Sequence, residues 1–296
     1  MTRSILKWML AGVLVCNGAE LLACASCGSG GDDPLILYPW ENWKVYTGFA
    51  RSDDFVNIDQ NGNQSSGFVP DTRNTTTVSF GHSFTNRSFA TVTAPYIVNK
   101  RGAYQRSGWG DPMLTGRYTF VQQDISEEWI PQVQAIAALR AGQAKSMYDY
   151  EDPAMLDVFG SGVPDWRAGF DVWHGMFDWK AGVAEIVTGP LDNKRTDSGA
   201  FRNGITSRST ATVGYGWGDR GKVITGVNHE QTTKKTLDGV TINGSEIISN
   251  STFISADAKL EHQTIVRLTL ARSAAFGFNK NGSRSDSVTV SMMRSF

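Results

Sequence analysis

The chain has 296 residues, 40% of them hydrophobic and 19% charged, with a formal net charge of −1. A mean hydropathy of −0.27 excludes a bundle of membrane helices, and the near-neutral balance lacks the basic field that nucleic acid requires. The 31 glycines and the lack of long 3.6-period apolar stripes after residue 25 point to an all-β chain with many turns.

At the start, Arg3 and Lys7 precede an apolar run from Trp8 to Cys16, followed by small residues. This pattern predicts a secretory signal peptide over residues 1–25, because the run is shorter than the ~20 residues a membrane helix needs. Two processing routes stay open. Ala23-Cys24-Ala25 fits ordinary cleavage, whereas Leu21-Leu22-Ala23-Cys24 resembles a lipobox that leaves Cys24 lipidated. Cys24 and Cys27 have the spacing of a redox disulfide or of half a soft-metal site; without a following His or a second Cys pair, covalent haem and a closed zinc site are not expected. Residues 26–42 are expected to form a flexible periplasmic arm.

Twelve strands are predicted, near 43–51, 75–85, 88–98, 110–121, 129–140, 166–175, 179–188, 204–217, 222–232, 251–261, 264–273 and 286–296. In the fifth, Val133, Ala135, Ala137 and Leu139 oppose Gln132, Gln134 and Arg140; in the eighth, Ala211, Val213, Tyr215 and Trp217 oppose Thr206, Arg208, Thr210 and Thr212. The tenth sets Ile254, Ala256, Ala258 and Leu260 against Ser255, Asp257, Lys259 and Glu261, a second face that no soluble core accepts. Links after odd strands are long and polar, and links after even strands are short, such as Asn86-Arg87. That parity belongs to an antiparallel transmembrane β-barrel of the bacterial outer membrane, spanning 43–296, with short turns in the periplasm and the apolar faces turned to lipid. Trp43, Trp109, Trp129, Trp166, Trp179 and Trp217 fall near strand ends, where interfacial girdles lie; Trp173 falls mid-strand. The last strand sets Val288, Val290 and Met292 on one face and ends on Phe296. This tail resembles the closing strand of outer-membrane barrels, whose terminal aromatic is read by the assembly machinery, although Arg294 stands where that pattern usually has an apolar residue.

Residues 107–120, "SGWGDPMLTGRYTF", and 160–170, "GSGVPDWRAGF", resemble segments of the outer-membrane transporter-like barrels named after the meta pathway of phenol degradation. The resemblance implies passage of small, often poorly water-soluble molecules across the outer membrane. It does not identify the solute.

The alternation itself supplies the candidate site. Lumen and selectivity residues are expected at Asp111, Arg117, Arg140, Arg167, Arg208, Asp257, Lys259 and Glu261, with Lys44, Lys180, Lys222, Arg267, Asp171 and Glu230 also facing inward. Asp111 has a structural reading beside the functional one, as the partner of a lumen arginine or as a cap for the loop. None of His82, His174, His229 and His262 has a serine two residues away, the arrangement a barrel hydrolase needs, so no enzyme activity and no cofactor are expected. The expected partners are outer-membrane lipid, the barrel-assembly machinery and a small solute. An alternative makes the barrel an anchor whose Cys24 and Cys27 engage a periplasmic redox or copper partner.

Overall fold

The computed structural model describes residues 35–37, 40–66, 71–123, 130–176, 178–218, 220–260 and 263–296. The signal peptide, Cys24, Cys27, Trp129, Glu261 and His262 lie outside these residues. Twelve strands build the barrel wall: β1 (Trp43–Ile58), β2 (Asp71–Thr85), β3 (Ser88–Arg101), β4 (Met113–Val121), β5 (Gln132–Arg140), β6 (Asp165–Met176), β7 (Trp179–Pro190), β8 (Thr206–Gly216), β9 (Gly221–Thr232), β10 (Ile247–Lys259), β11 (Thr264–Arg272) and β12 (Gly282–Ser295). Each pairs antiparallel with its neighbours in sequence, and β12 returns to β1, from Lys44 opposite Ser295 to Ile58 opposite Gly282. Closure pairs the backbone groups of every wall strand on both sides, which a hydrocarbon environment requires.

Why these residues make such a wall is plain in β4. Met113, Thr115, Arg117 and Thr119 are buried, while Leu114, Tyr118 and Phe120 point outward and are exposed. The same alternation in β12 buries Ser291, Met293 and Ser295 and exposes Val288, Val290 and Met292. Exposed apolar side chains on every side of a closed barrel form a belt that only lipid covers. Aromatic residues bound it. At the periplasmic end Trp43 stacks on His82 with centroids 3.8 Å apart, and Trp179 meets Tyr215 edge-on at 5.1 Å; at the outer end Tyr96 meets Trp109 at 5.3 Å.

Four strands run well past their expected ends on the extracellular side. β1 continues to Ile58, β2 begins at Asp71, β10 at Ile247 and β12 at Gly282. Above the belt the outward positions carry ion pairs such as Arg51 with Asp53 and Arg272 with Asp286, so the apolar period that marks a strand stops before the strand does. The strand expected from residue 110 starts at Met113 instead. Gly110, Asp111 and Pro112 form a bulge between the Thr93–Met113 and Tyr96–Trp109 pairs, and the chain above it, Tyr104–Trp109, extends β3 as a hairpin. A small sheet of residues 194–196, 199–202, 236–237 and 240–241 caps two of the outer loops.

Candidate functional site

At both ends, chain that is not part of the wall packs into the lumen. At the periplasmic end Leu35, Ile36 and Leu37 are almost fully buried against Tyr46, Phe89 and Met293, all lumen-facing. Gly81 makes the room: a Cβ there would stand 2.5 Å from Leu37 Cδ1 and 2.8 Å from Leu35 Cδ2. Lys44, buried on β1, donates to the Ile36 carbonyl at 3.0 Å and to both Glu41 carboxylate oxygens at 3.0 and 2.9 Å, and the Ser295 hydroxyl donates to Glu41. The end of the stretch expected as a free arm is therefore packed inside the barrel, because three large apolar side chains gain more by burial than by remaining in water. The gain is nearly balanced. Burying them contributes on the order of 5–9 kcal/mol, while fixing three residues of backbone and side chain costs about as much, so the segment is seated by its burial together with the Glu41–Lys44 contacts.

At the outer end, residues 141–164 cross the mouth. The Asp111 carboxylate, projecting inward from the bulge, accepts from Ala144 N at 2.7 Å, Ser161 N at 2.8 Å and Ser161 Oγ at 3.1 Å. Asn99 donates to the Leu156 and Val158 carbonyls, and Phe159 fills the space left by Gly108 beside Ile97 and Ala144. On the far side Tyr148 stacks on Phe201 and donates to Asn203, while Lys194 pairs with Asp149 at 2.7 Å. Within the loop, burial works against the charge on Asp157, but Lys145 and the Glu151 and Asp152 amides hold its carboxyl down to about 2.

Between the closures the wall is lined by charge pairs. Arg117 meets Asp171 at 2.9 Å with side chains only 1% and 0% exposed. Asp257 is held between Arg267 at 2.6 Å and Lys222 at 3.3 Å. Nearer the outer mouth Arg140 bonds Asp165 through Nε at 2.7 Å, with Arg167 3.8 Å from the same carboxylate, and Arg208 bonds Glu230 at 2.8 Å. Lumen positions read from alternation thus converge, but on one another, as the pairs Arg117–Asp171 and Arg208–Glu230 and as the carboxylates of Asp165 and Asp257 each met by two cations. Asp111 belongs to the loop cap, and Lys259 lies exposed at the periplasmic rim. His82 is stacked outward on Trp43, and His229 is bonded to Asn250.

Two features were not read from the sequence. Leu35–Leu37 and Glu41 form the periplasmic closure, for which the apolar run ahead of Trp43 was the available signal. The other is a row of aromatic rings in the lumen. Trp173, Gly182, Thr212, Gly226 and Phe253 lie on one line of cross-strand pairs from β6 to β10. A Cβ on Gly182 would overlap the Trp173 ring, and one on Gly226 the Phe253 ring, so the glycines let both rings lie flat on the wall.

No family model and no curated protein matches the sequence. Among solved structures, an outer membrane channel from Pseudomonas putida F1 superposes with a TM-score of 0.75 at 14% identity, covering 91% of this chain and 100% of that one. The fold is that of bacterial outer-membrane channels. The CymD monoaromatic hydrocarbon channel (TM-score 0.48, 10% identity, 86% of this chain and 89% of that one) and the KdgM porin in complex with disordered oligogalacturonate (0.47, 8%, 85% and 99%) overlap too loosely to bear on the argument.

Proposed function

We propose that the barrel lets a small, poorly water-soluble solute pass the outer membrane passively through its lumen. The observation that carries this reading is at the periplasmic end: the barrel wall is complete, yet Leu35–Leu37, which are not part of it, pack into the lumen against Tyr46, Phe89 and Met293. Arg117, Arg140, Arg167, Arg208 and Asp257 set selectivity through the charge they hold on the lumen wall. Asp111 acts through the loop it caps, and Lys259 acts at the periplasmic rim. Catalysis has no part in this reading, since His82 and His229 are engaged outside the lumen. Phe296, 62% exposed, serves recognition by the assembly machinery.

Planar-bilayer recording tests the proposal. The protein is compared with a variant carrying Arg117→Ala and Asp171→Ala together, since removing one partner alone strands a buried charge at a cost of about 3–5 kcal/mol. The parent is expected to conduct weakly, and the variant to show altered ion selectivity. Silence from both, with heat-modifiable migration intact, contradicts passage.

A further inference from the structure

Immediately outward of the aromatic row runs a second line of lumen-facing positions. Gln134, Asp171, Ala184, Thr210, Asn228 and Ser251 stand opposite one another from β5 to β10. The two rows are two residues apart on each strand, hence roughly 7 Å. On the β8–β10 side the polar row is internally bonded: Thr210 donates to Asn228 at 2.7 Å, and Asn228 to Ser251 at 3.1 Å. On the β5–β6 side it is not. Gln134 Oε1, Asp171 Oδ1 and the Trp173 indole N–H are buried without a hydrogen-bond partner among the described residues. Gln134 is 3% exposed, Asp171 0% and Trp173 6%. Gln134 spends its N–H on Thr119, and Asp171 its other oxygen on Arg117. Leaving one such group unmet costs about 1–3 kcal/mol, and three together on adjacent strands mark a place where a guest supplies the partners.

We infer that this strip of wall binds a neutral solute bearing a hydroxyl group on a compact hydrocarbon body, an inference that rests on the passage reading above and names its solute class. The chemistry follows from the unmet atoms. Two acceptors, Gln134 Oε1 and Asp171 Oδ1, ask for an O–H donor, and the Trp173 N–H asks for an acceptor; a hydroxyl gives its one proton to either acceptor and accepts from the indole. The guest is neutral because Arg117 already balances Asp171 in a fully desolvated pair, and an added charge there has no partner. Its hydrocarbon lies on the rings of Trp173 and Phe253, with Ile224 beside them.

The test uses two probes of one shape, cyclohexanol and cyclohexanone; the ketone keeps the acceptor and lacks the donor. With 15N-indole-labelled protein in detergent, Trp173→Phe, which keeps an aromatic ring and deletes the N–H, assigns the Trp173 resonance. Titration of the parent is expected to shift that resonance, with the alcohol binding about tenfold more tightly than the ketone. Gln134→Met keeps the volume and removes an acceptor, and is expected to shrink that preference about threefold or more. Heat-modifiable migration checks that each variant is folded. Equal affinity for the two probes, a preference unchanged in Gln134→Met, or a Trp173 resonance that neither probe moves overturns the inference. Bilayer conductance is scored separately: a preference without conductance supports the site and removes the passage reading, whereas conductance without a preference removes the site alone.

Discussion

The two closures of this barrel block the same lumen by opposite means. The outer one is a loop tied to the wall at both ends, by β5 and β6, and held by directional bonds to Asp111 and Asn99. The inner one is a short apolar segment joined to the wall at Trp43, held by burial and by the Glu41–Lys44 contacts. Hydrogen bonds in the outer closure lose their partners if the loop lifts, so it opens at the cost of several unmet buried groups. Apolar side chains in the inner closure lose only area, and regain backbone freedom as they leave. The difference carries an expectation for the proposed passage: the inner segment should yield before the outer loop does.

Gly81→Val tests that contrast most strongly, because the added side chain occupies the space of Leu35 and Leu37 without altering the segment itself. Conductance is expected to rise several-fold while the outer loop keeps its resistance to trypsin. Asp111→Ala addresses the other end. It strands the Ala144 and Ser161 amides, about 1–3 kcal/mol for each, so cleavage at Lys145 in the folded protein should accelerate about tenfold or more, with a smaller change in conductance. Comparable conductance gains from the two substitutions would erase the contrast.

Ser295→Ala is the milder probe of the inner closure. It removes the hydroxyl that donates to Glu41 but leaves the Glu41–Lys44 pair intact, and is expected to raise the fraction of time spent conducting about twofold. The smallest effect is the acid response of the outer loop. Asp157 is held near 2 against an ordinary aspartate value of about 3.9; a depressed folded-state value contributes stability above the unfolded value that is lost as pH falls through the folded one. Hydrogen exchange at residues 145–159 should stay slow at pH 4 and quicken between about pH 4 and 2, and Asp157→Asn should flatten that step.

How much of this was legible follows from the range of each signal. Barrel strands announce themselves within ten residues, since lipid on one side and lumen on the other impose a period of two, as Ile254 to Lys259 illustrate. The same period turns Arg117, Asp171 and Asp257 inward, and the structure buries all three. Their pairing was not legible, because Arg117 meets Asp171 across 54 residues of sequence. The closures were least visible. Leu35–Leu37 pack on Phe89 and Met293, contributed by β3 and β12, and no local pattern links those positions. Asp111 finds its partners 33 and 50 residues away, so its choice between capping and charge filtering waited on the path of the loop. Extracellular strand extensions escaped for a simpler reason: above the lipid belt both faces of a strand are polar, and the period vanishes.

The central claim is that solute moves through the lumen and that residues 35–37 are its inner closure. Single-channel conductance of the parent, compared with a variant in which Leu35, Ile36 and Leu37 are all serine, tests it most directly. Serine keeps the chain length and the Ile36 carbonyl that Lys44 bonds, but removes the apolar burial that seats the segment. The account predicts a several-fold larger conductance in the variant, with heat-modifiable migration unchanged. Equal conductances, or silence from both folded proteins, would contradict it.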